Sequence, residues 1–106
     1  MKYPLLGTHF VLDEEKILRD GKYDLGKMFD DIEKMATESG LIKIDKNTYH
    51  CKGDKYDLGN LGIFIYGNLM RQEWFTLNVK KWLWLSEEEG DEDLIGDKMG
   101  VCHGDG

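Results

Sequence analysis

Apolar residues recur at helical spacing in one clear place along the chain and at strand spacing in several. Leu25, Met28, Phe29, Ile32, Met35 and Ala36 fall at i, i+3, i+4, i+7, i+10 and i+11 of a single stripe, with Lys27, Asp30, Asp31, Glu33 and Lys34 on the opposite side. That pattern predicts an amphipathic helix. Asp24 is placed to accept hydrogen bonds from the free N–H groups of its first turn, and Gly40 to end it in the left-handed conformation. Upstream, residues 8–12 alternate, with Phe10 and Leu12 on one face and His9 and Val11 on the other, as in a strand. Pro4 and Gly7 keep the preceding residues out of regular structure. Residues 13–21 are charged, with Ile17 and Leu18 as their apolar anchors, and read as either a helical turn or a loop.

In the second half, residues 41–44 and 48–51 flank the polar connection Asp45-Lys46-Asn47 and predict a hairpin, closed by Gly53 and Asp54. Residues 58–70 are the most apolar stretch. We read residues 57–71 as a second helix with Leu58, Leu61, Ile65 and Leu69 as its main stripe and Phe64 beside it. Ile63, Tyr66 and Met70 widen its apolar surface. Gly59, Gly62 and Gly67 weaken it, and within a helix they imply close backbone approach to a neighbour. The rival reading is a buried strand over 62–67 bracketed by glycines. Residues 74–79 fit either a helical turn or a strand. Residues 80–86 predict a strand with Trp82 and Trp84 on one face and Leu83 and Leu85 on the other.

A five-residue string occurs twice. Lys22-Tyr23-Asp24-Leu25-Gly26 returns as Lys55-Tyr56-Asp57-Leu58-Gly59, each copy at an expected helix start. The simpler explanation is shared capping chemistry, an Asp followed by an apolar residue entering the core. The other is duplication of a strand-helix unit.

The elements predict an α+β fold, a small antiparallel sheet of three to four strands with two helices. Their order, strand, helix, strand, strand, helix, strand, resembles the ferredoxin-like βαββαβ arrangement. A less regular α+β domain with the same two helices is the alternative.

Charge divides the chain unevenly. Residues 87–106 hold eight acids against Lys98 alone, which accounts for the whole net charge of −7 and leaves thirteen acids and thirteen bases in residues 1–86. This predicts one compact domain over 1–86 and an acidic, flexible tail over 87–106, since a block of like charge buries too little surface to offset chain entropy. No apolar run approaches the roughly 20 residues of a membrane span, and the N-terminus lacks the long apolar segment of a signal peptide. A cytoplasmic location is expected, with Cys51 and Cys102 as thiols.

Motifs for chemistry are lacking. There is no phosphate-binding loop, dinucleotide fingerprint, nucleophile elbow or zinc-protease helix. The pairs His50-Cys51 and Cys102-His103 could supply four soft metal ligands but lack the usual spacing, and alternation across a strand explains the first pair. Residues 87–93 lack the pattern of a calcium loop. Lys80 and Lys81 beside Trp82 and Trp84 make a poor footprint for nucleic acid next to an acidic segment. The chain therefore reads as a non-enzyme without cofactor or metal. The expected function is a protein-protein interaction module, an inhibitor or immunity-type protein blocking a basic nucleic-acid-binding or nuclease partner. The expected contacts are Glu87, Glu88, Glu89, Asp91, Glu92 and Asp93, with Trp82 and Trp84 as aromatic anchors. The partner is expected to be a basic protein, with no membrane or direct nucleic-acid contact, and the chain a monomer or homodimer. The alternatives are a small-ligand or metal-binding domain and a self-associating structural domain.

Overall fold

The computed structural model describes residues 5–95. The elements run β1 (Leu6–Leu12), α1 (Glu14–Asp20), α2 (Leu25–Glu38), β2 (Ile42–Asp45), β3 (Thr48–His50) and α3 (Asp57–Gly62). A π-helical segment (Ile63–Asn68), a 3-10 turn (Leu69–Arg71), α4 (Glu73–Thr76), β4 (Val79–Ser86) and β5 (Glu92–Asp93) complete them. The class is α+β, as expected, but the described residues form five antiparallel strands in the order β2-β3-β1-β4-β5 and four α-helices, more than the three to four strands and two helices expected.

The two ambiguous stretches account for the extra helices. Asp13 caps α1 by accepting from the Lys16 N–H at 3.2 Å, and Gly21 ends it at φ 62° with its N–H on the Ile17 carbonyl. Residues 73–76 form α4 before the chain turns into β4. The extra strand lies in the segment expected to be a flexible tail. Residues 87–90 turn over and Glu92 and Asp93 pair with Trp84 and Leu83. Leu94 then donates its N–H to the Trp82 carbonyl and buries its side chain in the core. Leu94, with Ile95 packed partly against the core beside it, anchors what the charge pattern alone assigned to solvent. Residues 96–106, with Cys102 and His103, lie outside the described residues.

The sheet has the two faces that alternation predicts. Phe10, Leu12, Tyr49 and Trp82 enter the core, while His9, Val11, Leu83 and Leu85 line the other, half-buried face. Between Val79 and Lys81 the register slips, so Lys80 is the extra residue of a bulge and both lysines stay exposed. Gly7 is required where β1 meets β3, because a Cβ there would sit 2.5 Å from the Tyr49 carbonyl oxygen. The aromatic rings continue across the core. Tyr49 packs edge-on to Phe64 at 5.8 Å, Phe10 to Phe75 at 5.6 Å, and Phe75 to Trp82 at 4.8 Å.

α2 matches its prediction closely: Asp24 accepts from the Lys27 N–H at 3.1 Å, Met28, Ile32 and Ala36 are buried, and Gly40 follows at φ 85°. The second helical stretch is helical throughout, not a strand over 62–67. It leaves α geometry at Ile63, which brings Leu61, Phe64, Ile65 and Leu69 together into the core. The Asn68 side chain donates to the Ile63 carbonyl at 3.1 Å, five residues back. Leu58, Ile63 and Tyr66 face outwards, and Met70 packs partly against the core. The glycines correct the sequence reading: a Cβ at Gly59 or Gly62 would meet nothing within 4 Å, and one at Gly67 would meet only Ile63 at 3.8 Å. They are not sites of close approach. No helix among the described residues is long and apolar enough to cross a membrane.

Candidate functional site

A concavity of about 490 Å³ lies where α3 and the π-helical segment meet the β4-β5 hairpin. Its apolar wall is Leu6, Leu58, Tyr66 and Trp84. The Tyr66 and Trp84 rings stand 6.2 Å apart, tilted by 35°. Its polar lining is Asp54 and Asp57 from around the start of α3 and Glu88, Glu89 and Glu92 from the hairpin, with Ser86 and with Lys55 as the cation among the lining residues.

Each acid reaches the groove for a local reason. Ser86 Oγ accepts from the Glu89 N–H at 3.0 Å and the Ser86 carbonyl from the Gly90 N–H at 2.8 Å, while Gly90 adopts φ 86°. That tight turn presents Glu88 and Glu89 beside Glu92 on the returning strand. On the other side Asp54 accepts from the Tyr56 N–H at 2.9 Å, a side-chain turn that directs the chain into α3.

Asp57 is the unusual member. It is the first residue of α3, not its cap, and is only 3% exposed. Its Oδ2 accepts from the N–H of Gly53, which holds φ 90°, at 2.9 Å. Its Oδ1 is buried without a hydrogen-bond partner among the described residues, an arrangement that costs a carboxylate its hydration. The backbone carbonyl of Asp57 accepts from the Cys51 thiol at 3.5 Å. Burial first, then the nearby Asp57 and Asp54 charges, push that thiol up to about 12.

The structure brings together part of the site expected from sequence. Trp84, Glu88, Glu89 and Glu92 converge on the groove. Trp82 does not: it is 0% exposed, its Nε1 donates to Thr8 Oγ1 at 3.1 Å, and it is a core residue rather than a partner anchor. Glu87 is tied back, its Oε1 accepting from the Leu5 N–H at 3.0 Å, and it lines a separate shallow depression with Asp91. Asp93 accepts from the Ile95 N–H at 2.9 Å within its own turn. Asp54, Asp57 and Leu58 were not expected at a site, and Tyr66 only as part of the widened apolar surface of the second helical stretch, which implies either deep burial or a second contact surface. The repeated string did mark Asp57 and Leu58, but as a helix start. Among the described residues no three His, Cys, Asp or Glu side chains cluster as metal ligands. Comparison with known proteins gives no match to a family model, a curated protein or a solved structure.

Proposed function

We infer that the chain is a protein-protein interaction module of the inhibitor type, which engages a basic surface such as that of a nucleic-acid-binding partner. The observation that carries this reading is one groove that joins five carboxylates to a Trp84-Tyr66 aromatic wall. Carboxylates steer and orient a basic surface over distance, while a partly desolvated aromatic pair supplies short-range contact area. The scaffold in this reading is ferredoxin-like with one added edge strand. The position of β1 between β3 and β4, with helices in the connections β1 to β2 and β3 to β4, supports it.

The test is calorimetric titration of the full chain into basic nucleic-acid-binding proteins at low and high salt, with a variant carrying Lys at Glu88, Glu89 and Glu92. Association that weakens steeply with salt and disappears on charge reversal supports the reading. Association that is unchanged in both comparisons contradicts it.

A further inference from the structure

The acids of the groove do not occupy equivalent positions. Glu88, Glu89 and Glu92 are exposed and Asp54 is partly exposed, so their carboxylates retain contact with water. Asp57 is nine-tenths or more buried, and one of its two oxygens makes no hydrogen bond among the described residues. A buried acceptor in that state is stabilised by any donor that reaches it, and most by a charged one. Lys55 is the nearby cation in the wall, yet its ammonium stands over its neighbour Tyr56, 5.3 Å from the ring centroid.

The surroundings restrict which cation fits. The carboxylates do not cluster tightly enough to ligate a metal ion. They are spread around a groove that is also lined by Leu6, Leu58, Tyr66 and Trp84, a mixed lining that suits an elongated cation with a hydrocarbon stem and several donors. A guanidinium has five N–H donors in a plane, stacks on aromatic rings and is more weakly hydrated than an ammonium.

We propose that Asp57 is the specificity residue of an arginine-binding groove: an arginine side chain from a basic partner segment lies along Trp84 and Tyr66 and donates to Asp57 Oδ1. Glu88, Glu89 and Glu92 attract the segment, and Asp57 selects the guanidinium. This rests on the interaction-module reading and identifies the group that reading would recognise. Leu58 and Lys55 are exposed and line the groove with Asp57, whose Oδ1 is itself closed off from solvent, so the side chains over that oxygen must shift when the guanidinium enters.

The experiment is calorimetry of the full chain with three blocked peptides of one sequence, carrying arginine, lysine or the neutral isostere citrulline at the same positions. The arginine peptide should bind at least about tenfold more tightly than the citrulline peptide, and Asp57→Asn should remove most of that difference. A thermal transition and an unreactive Cys51 thiol establish that Asp57→Asn is folded. If it does not fold, Tyr66→Ala at an exposed position serves instead, with a loss of affinity confined to the arginine peptide. Arginine and lysine peptides that bind equally well, with Asp57→Asn and Tyr66→Ala both neutral, overturn the Asp57 assignment and leave the acidic-module reading standing. Binding that also ignores Lys at Glu88, Glu89 and Glu92 overturns both. Binding of blocked arginine amide alone as tightly as the peptide overturns the partner segment in favour of a small free cation.

Discussion

Asp24 and Asp57 occupy the same place in two copies of one five-residue string and do different work. Asp24 is exposed and accepts from the Lys27 N–H inside the helix it caps, whereas Asp57 is buried and accepts from Gly53, outside its helix. Shared capping chemistry therefore explains the first copy only. Asp24→Ala should lower unfolding free energy by about 1 kcal/mol, and Asp24→Ser should restore most of it, as measured by urea denaturation. Equal losses in the two variants would show that the side-chain cap is not what holds that end of α2.

Glycines in this chain separate into two kinds with opposite expected signs. Gly59 and Gly62 are helical and have open space where a Cβ would go, so Gly59→Ala and Gly62→Ala should each stabilise by about 0.4–1 kcal/mol. Gly7→Ala drives a Cβ into the Tyr49 carbonyl and should destabilise by about 1–3 kcal/mol through damage to the β1-β3 pairing. Thermal melts of the three variants check both signs.

The two tryptophans of β4 should likewise part company. Trp82→Ala removes a fully buried ring with a hydrogen-bonded indole and should cost about 3–5 kcal/mol. Trp84 is only half-buried and lies in the groove, so Trp84→Ala should cost less stability and more affinity for a basic peptide. Paired denaturation and binding measurements on each variant distinguish the roles.

Alkaline pH should weaken the fold. Burial, then the Glu33 and Asp45 charges, hold the Tyr49 hydroxyl up to about 12 from 10, and Cys51 is held up to about 12 from 9. Over that window the folded chain keeps protons that the unfolded chain releases. Stability from these groups is complete below pH 9 and falls as pH rises towards 12. A melting temperature that declines from about pH 9 upward, with Cys51 resistant to alkylation until the fold is lost, is the expected result. Rapid alkylation of Cys51 in the native state at pH 8 would contradict it.

Much of the fold was legible because periodicity depends on which side faces the core. The α2 stripe, the alternation of Phe10 against His9, and Trp82 and Trp84 against Leu83 all reappear in the structure. Two features were not legible, each decided by a contact distant in sequence. Leu94 and Ile95 are two apolar residues at the end of an acidic run, and only the Trp82 carbonyl and the core beneath Leu94 reveal that the run folds back. Asp57 reads as a cap from its neighbours, and only the turn at Gly53 shows that its carboxylate is committed elsewhere. The groove was half visible for the same reason. Glu88, Glu89 and Glu92 belong to a legible charge run, whereas Asp54, Asp57, Leu58 and Tyr66 come from a stretch that reads as the close of a hairpin, a helix start and a core helix.

The most direct measurement is a 15N-1H NMR titration of the full chain with the arginine peptide. Shifts concentrated at the Gly53 and Asp57 amides, the Tyr66 amide and the Trp84 indole, with His9, Val11 and Leu83 on the opposite sheet face unmoved, are the predicted result. Shifts centred on that opposite face, or none at Gly53 and Asp57 when the peptide is bound, would contradict arginine recognition by Asp57.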